Sequence, residues 1–266
     1  TPAAHRPPRV GDSAAVTHDE LRAHQLRANL DAARERIARA AASAGRSDPV
    51  DLVVVTKTFP ASDVHILAQL GVTEVGENRD QEARAKRREV ESLGDVSLRW
   101  HMIGRLQRNK AASVTSWADV VESVDRQSLV TRLAKAAEDS RKEGEDQEGR
   151  APLDVLIQVS LDEPVQPNRG GADPKDVAAI AQAVHAAEPA LRLAGVMAVA
   201  PHPDTGIDPA LAFARLAEVA EEIHARWPHA RVISAGMSTD LEAAVAAGAT
   251  QVRIGGAILG QRPVVQ

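Results

Sequence analysis

The sequence predicts a single α/β domain, a (β/α)8 barrel of parallel strands with an extra helix ahead of the first strand. Two observations lead there. Short apolar, β-branched runs alternate with amphipathic segments along nearly the whole chain, the pattern of a parallel sheet with crossover helices. Eight strand candidates lie between Leu52 and Ile254, a count that suits a closed barrel better than an open doubly wound sheet. The length of 266 residues, 44% of them hydrophobic, is enough for one full core.

The elements follow in order. From His18 to Ala42 leucines, Ile37 and alanines recur among arginines at helical spacing, predicting a long amphipathic helix on one flank. Leu52 to Lys57 is a β-branched run with a helical segment from Pro60 to Leu70 behind it. The unit then repeats: a strand at Thr73–Val75 and a helix over Arg79–Leu93; Leu98–Ile103 and Gln107–Val114; Asp119–Ser123 and Arg126–Lys142. A charged, glycine-broken stretch from Glu143 to Arg150 reads as an exposed loop. Beyond it come Leu153–Ser160 and a helix over Pro174–Ala187, Leu191–Met197 and Pro209–Trp227, Arg231–Ile233 and Thr239–Ala247, and finally Gln251–Ile254. Residues 1–16, with three prolines and no continuous apolar run, read as a disordered arm and neither a signal peptide nor a membrane anchor, which leaves 17–266 as the barrel domain.

Composition narrows the function classes. The 32 basic and 37 acidic residues are mixed along the chain and sum to −5, which argues against a nucleic-acid or membrane-surface role driven by bulk charge. Cysteine is absent, so disulfides, thiolate metal sites and a cysteine nucleophile are excluded, and nothing points to export. Tyrosine is absent too, which removes a common acid/base partner.

Two features carry chemistry. Of the lysines only Lys57 directly continues an apolar strand run. At the C-terminal end of a barrel strand its amine would point into the mouth, where low polarity or a nearby cation would make it a nucleophile for an aldehyde. The alternative is a strand-end lysine that snorkels to solvent. The second feature is a pair of segments, Ser234 to Asp240 and Val252 to Gly256, each just after a predicted strand near the end of the chain. Gly236 permits a sharp turn, Ser238 offers a hydroxyl, and Gly255 and Gly256 allow close backbone approach, as in the phosphate sites that barrels build after strands 7 and 8. The alternative makes Ser238 or Thr239 an ordinary helix cap and the glycines ordinary turns. Arg253, among Val252, Ile254 and two glycines, is either an edge arginine or a buried one in need of an acceptor. A pyridine ring between Lys57 and the cradle would supply one.

Taken together, Val54-Val55-Thr56-Lys57-Thr58, Gly76-Glu77-Asn78, Trp100-His101-Met102-Ile103-Gly104, Leu106-Gln107, Asn109-Lys110, Gly195-Val196-Met197-Ala198, Gly236-Met237-Ser238 and Val252-Arg253-Ile254-Gly255 closely resemble the pyridoxal phosphate homeostasis (YggS/PROSC) family. The resemblance runs from about Leu21 to Gln261 and rests on the order and spacing of the motifs. It implies a fold-type III barrel, like that of alanine racemases without their second β domain, binding pyridoxal 5′-phosphate (PLP) as a Schiff base on Lys57. It also implies that Ser238 and the amides of Gly255 and Gly256 hold phosphate, that Arg253 faces the pyridine nitrogen, and that Asn78 and Met197 lie beside the cofactor. His101 either lines the pocket or belongs to the core. Arg105 stands where many relatives have proline and puts the shape of the loop after strand 3 in question.

The function so implied is a cytoplasmic, monomeric carrier or regulator in PLP homeostasis, with PLP and PLP-dependent apo-enzymes as partners and no nucleic acid or membrane. An amino-acid racemase of fold type III is the competing reading. It would need a second acid/base opposite the lysine, a role that a partner tyrosine fills in those racemases, and a further domain for which no length follows strand 8.

Overall fold

A computed structural model describes residues 17–143, 151–166 and 169–260. The expected arm over 1–16 and residues 144–150 of the expected charged loop lie outside these. Glu143, placed in that loop by sequence, is instead the last residue of a helix.

Eight parallel strands close into a barrel in chain order. They are β1 (Asp51–Val55), β2 (Glu74–Glu77), β3 (Arg99–Met102), β4 (Val120–Val124), β5 (Leu153–Gln158), β6 (Leu191–Met197), β7 (Val232–Ser234) and β8 (Gln251–Ile254). Closure pairs β1 with β8, in a register that sets Val53 beside Arg253 and Val54 beside Ile254. Every residue of β4, β5 and β8 is buried, as parallel strands must be when helices cover one face and the barrel interior fills the other. The outer helices are α2 (Ala61–Gln69), α3 (Asp80–Leu93), α4 (Ala111–Thr115), α5 (Gln127–Glu143), α6 (Val177–His185), α7 (Pro209–Arg226) and α8 (Leu241–Ala246). The single helices expected over 107–114 and 174–187 each begin as a 3-10 turn, Arg108–Lys110 before α4 and Pro174–Asp176 before α6.

The helix ahead of the barrel is α1 (His18–Ser43). Its start is a capping box: the Thr17 hydroxyl accepts from the Glu20 amide at 3.2 Å while the Glu20 carboxylate accepts from the Thr17 amide at 2.8 Å. Leu26, Leu30, Ala33, Ile37 and Ala40 form its buried stripe at helical spacing. That stripe packs on α2, α8 and a final short helix, α9 (Gly256–Leu259). Because α9 has only four residues, α1 fills the place in the outer ring that a full helix after β8 would take. Sequence did not predict α9, which is one turn long and too short to show a helical period.

The first strand ends earlier than its apolar run suggests. Thr56 donates its amide to the Gly76 carbonyl at 3.0 Å, and the chain then turns, closed by the Phe59 amide on the Thr56 carbonyl at 3.1 Å. Lys57 therefore occupies the second position of a four-residue turn. Thr58, the third, has φ of 69°, the one left-handed non-glycine residue among those described.

Candidate functional site

Closure brings the predicted residues to one end of the barrel. Lys57 follows β1, Asn78 follows β2, Met197 ends β6, Ser238 follows β7, and Gly255 and Gly256 follow β8. The loops after β7 and β8 are joined by the Arg253 amide, which donates to the Gly236 carbonyl at 2.9 Å. Gly236 has φ of 92°, and a Cβ there would stand 2.7 Å from Cβ of Ala244, so only glycine fits the turn. Gly255 lies against the strand that leads to Lys57: a Cβ on it would be 3.0 Å from the Val55 carbonyl oxygen. The lysine turn and the second glycine segment are thus neighbours across the closing seam.

The polar groups of this end suit a phosphate. The Ser238 hydroxyl makes no hydrogen bond among the described residues, whereas its carbonyl accepts from Arg36 of α1 at 2.8 Å. Arg36 also forms a two-pronged ion pair with Glu242 at 2.6 and 2.7 Å. Neither Ser238 nor Thr239 caps α8; the cap position is Asp240, whose carboxylate accepts from the Met237 amide at 2.6 Å. The Ser238 hydroxyl is thereby left for another partner. The first bonds of α9 run from the Ile258 and Leu259 amides to the Gly255 carbonyl, so the Gly255 and Gly256 amides lie among the orphan donors of a helix start. Arg22 and Asn29 of α1 hold α9 from outside, through the Leu259 and Ile258 carbonyls at 3.0 and 2.8 Å.

Arg253 is buried, as one of the two sequence readings required. Its guanidinium donates to Ser234 Oγ at 2.6 Å and to the Ala198 carbonyl at 2.8 Å, and stands 3.6 Å from Glu122. Burial pulls its pKa below the ordinary arginine value, an effect that Glu122 and Asp240 oppose. Ser234 Oγ donates in turn to Glu122 Oε2 at 2.6 Å, and Gln251 donates to Glu122 Oε1 at 2.9 Å. On the other side of Glu122 lies His101, with Nδ1 at 2.7 Å from Glu122 and Nε2 against Glu74. His101 is therefore a core histidine within a polar column running through the barrel interior. Burial disfavours its charge, yet the hydrogen bonds and charges of Glu122 and Glu74 prevail and raise its pKa to about 9. Burial likewise works against the Glu122 carboxylate, but His101, Arg253 and Ser234 hold its pKa below the usual value.

Met197 is buried in the interior, packed with Val120 and Leu156. Asn78 is half-buried on the loop after β2. Arg105 is exposed, and the loop after β3 is anchored by its buried neighbour Leu106, whose carbonyl accepts from Arg126 at 3.0 Å. Sequence reasoning did not single out Glu74, Glu122, Ser234 or Gln251; the available signal was a glutamate inside the apolar run Val120-Val121-Glu122-Ser123-Val124.

The opposite end of the barrel carries a hollow of about 330 Å³ lined by Arg99, Asp154 and Arg192. Both arginines are already paired with Asp154, at 2.6 and 2.5 Å. Among the described residues no group of three or more His, Asp or Glu side chains could hold a metal ion.

Comparison with known proteins places the chain in a family. The family described as the alanine racemase N-terminal domain matches residues 28–263. A protein of Mycobacterium bovis named pyridoxal phosphate homeostasis protein is 43% identical over 252 residues, covering 91% of this chain and 94% of that one. A protein of the same name from Escherichia coli is 38% identical over 236 residues, covering 88% and 95%. Among solved structures, PipY of Synechococcus elongatus with PLP bound superposes with a TM-score of 0.64 at 32% identity, over 84% of this chain and all of that one. Alanine racemase of Corynebacterium glutamicum, at 18% identity and a TM-score of 0.59 over 92% of this chain and 62% of that one, shares the fold. With a closed barrel, a lysine turn after β1 and glycine segments after β7 and β8, the chain belongs to the pyridoxal phosphate homeostasis proteins of the alanine racemase N-terminal domain family.

Proposed function

We propose that this protein binds PLP covalently through Lys57 and serves in PLP homeostasis as a carrier or regulator of the cofactor. The observation that carries the reading is the seam between β8 and β1, where Gly255 lies against Val55, two residues before Lys57. PLP supplies an aldehyde, which a lysine amine condenses with as water leaves, and a phosphate that needs donors at a fixed distance. Ser238 Oγ and the amides of Gly255 and Gly256 are the donors in this reading, with Asn78 and Met197 as neighbours of the ring. Arg253 would face the ring nitrogen. A guanidinium there keeps the nitrogen unprotonated and makes the ring a weak electron sink.

That electrostatic choice, with the absence of tyrosine from the chain, favours holding the cofactor over turning over amino acids. The same reading sets the protein in the cytoplasm as a monomer that passes PLP to apo-enzymes. No helix among the described residues is long and apolar enough to cross a membrane.

The test is an absorption spectrum of the purified protein supplied with PLP. A visible band that borohydride abolishes, with the cofactor then found on the Lys57 peptide, is the expected result. Loss of the band in Lys57→Ala completes it. A band that persists in Lys57→Ala and becomes fixed to another lysine overturns the assignment.

A further inference from the structure

We infer that Glu82 and Lys86 of α3 are positioning residues for Lys57, gripping the two peptide groups on either side of it. The inference rests on the reading that Lys57 bonds PLP. Lys86 Nζ donates to the Thr56 carbonyl at 2.8 Å, the oxygen of the peptide that enters Lys57. The Thr58 amide, the hydrogen of the peptide that leaves Lys57, donates to Glu82 Oε1 at 2.5 Å. The two gripping side chains are one helical turn apart and touch each other, Lys86 Nζ lying 3.3 Å from the same Glu82 oxygen.

The grip is built into the core. Lys86 is only 6% exposed, and its ammonium also meets Glu77 Oε1 at 2.7 Å. Thr56 Oγ1 donates to that same Glu77 oxygen at 2.6 Å. Burying the Lys86 ammonium and the Glu77 carboxylate beneath a surface turn is costly unless the geometry they impose has a use. What they impose is unusual: Thr58, β-branched, held at φ of 69°, a conformation such residues rarely adopt unaided. A left-handed third position makes the chain reverse at once after the strand, so the backbone at Lys57 leaves the β1 ladder. Without the grip, Thr58 would relax toward extended backbone and Lys57 would sample other directions.

A positioning role predicts a specific split. Formation of the covalent bond needs the Lys57 amine at one place, whereas phosphate and ring binding do not. We would compare Glu82→Leu, Glu82→Gln and Lys86→Met with the parent protein in two titrations. One uses PLP, read from the visible band that reports the lysine bond. The other uses pyridoxine 5′-phosphate, which has an alcohol in place of the aldehyde and cannot form that bond. Glu82→Leu and Lys86→Met should lower the apparent constant for band formation about 10-fold or more, the scale of a lost charged hydrogen bond. Pyridoxine 5′-phosphate affinity should stay within about twofold. Glu82→Gln keeps an oxygen for the Thr58 amide and should recover most of the band, which guards against misfolding as the cause.

Band formation unchanged in Glu82→Leu, or equal losses for the two ligands, would overturn the positioning role while leaving Lys57 as the attachment point. A parent protein that forms no borohydride-sensitive band on Lys57 would instead overturn the functional reading and this inference with it.

Discussion

Replacing His101 with glutamine should make the stability of the protein lose one particular pH dependence. In the folded chain His101 lies between Glu122 and Glu74 inside the barrel, and its pKa is raised from 6.5 to about 9. Each pKa unit corresponds to about 1.36 kcal/mol, so the protonated ring contributes about 3 kcal/mol. The folded value lies above the unfolded one. The contribution is therefore complete below about pH 6.5 and disappears as pH rises through about 9. Urea unfolding of both proteins at intervals from about pH 6 to about pH 10 gives the difference in stability directly, and groups that do not touch His101 cancel. That difference should shrink by about 3 kcal/mol across the range. A proton NMR titration of the His101 ring supplies the folded pKa independently. A difference that stays flat, or a ring that titrates near 6.5, would refute the argument that the two glutamates outweigh burial. Glu122 acts at the other end of the scale: its depressed pKa adds stability that is present above the unfolded carboxylate value and lost as pH falls through the folded one.

Two further outcomes test the site. Ser238→Ala should weaken PLP binding by about 1 to 2 kcal/mol, the scale of one charge-assisted hydrogen bond, and leave pyridoxal binding nearly unchanged; equal losses for both ligands in parallel titrations would show that the hydroxyl does not meet phosphate. Protein loaded with PLP should exchange the Cα hydrogen of L- or D-alanine for deuterium in heavy water more slowly than about 1 per second, and Lys57-dependent exchange at or above that rate, followed by NMR, would favour catalysis over carriage.

Much of this molecule follows from local pattern. Eight largely apolar strands and the helices between them are visible as runs and periods, because a parallel strand covered on both faces must be apolar and a helix with one covered face must be amphipathic. The interruptions are visible as well. Lys57 stands out because it follows four strand residues without charge, and Gly236, Ser238, Gly255 and Gly256 stand out because they fall where two late strands end.

Only the tertiary structure decides what those positions face. In β4 all five residues are buried, so there is no alternation to tell inward from outward, and Glu122 could be assigned to neither side. Barrel closure places it beside His101, 21 residues earlier, and Ser234, 112 residues later, separations that no periodicity spans. The same holds for Lys57. Its residue type and place after a strand are sequence properties, but the turn that aims it depends on Glu82 and Lys86 reaching across from α3. The role of α1 is of this kind too: its amphipathic stripe was legible, whereas the hydrogen bonds of Arg22, Asn29 and Arg36 to α9 and to the Ser238 carbonyl exist only because the ring of helices closes there. Burial pattern is written residue by residue along the chain, while the partner of a buried charge is set by which distant segment closure brings within hydrogen-bonding reach.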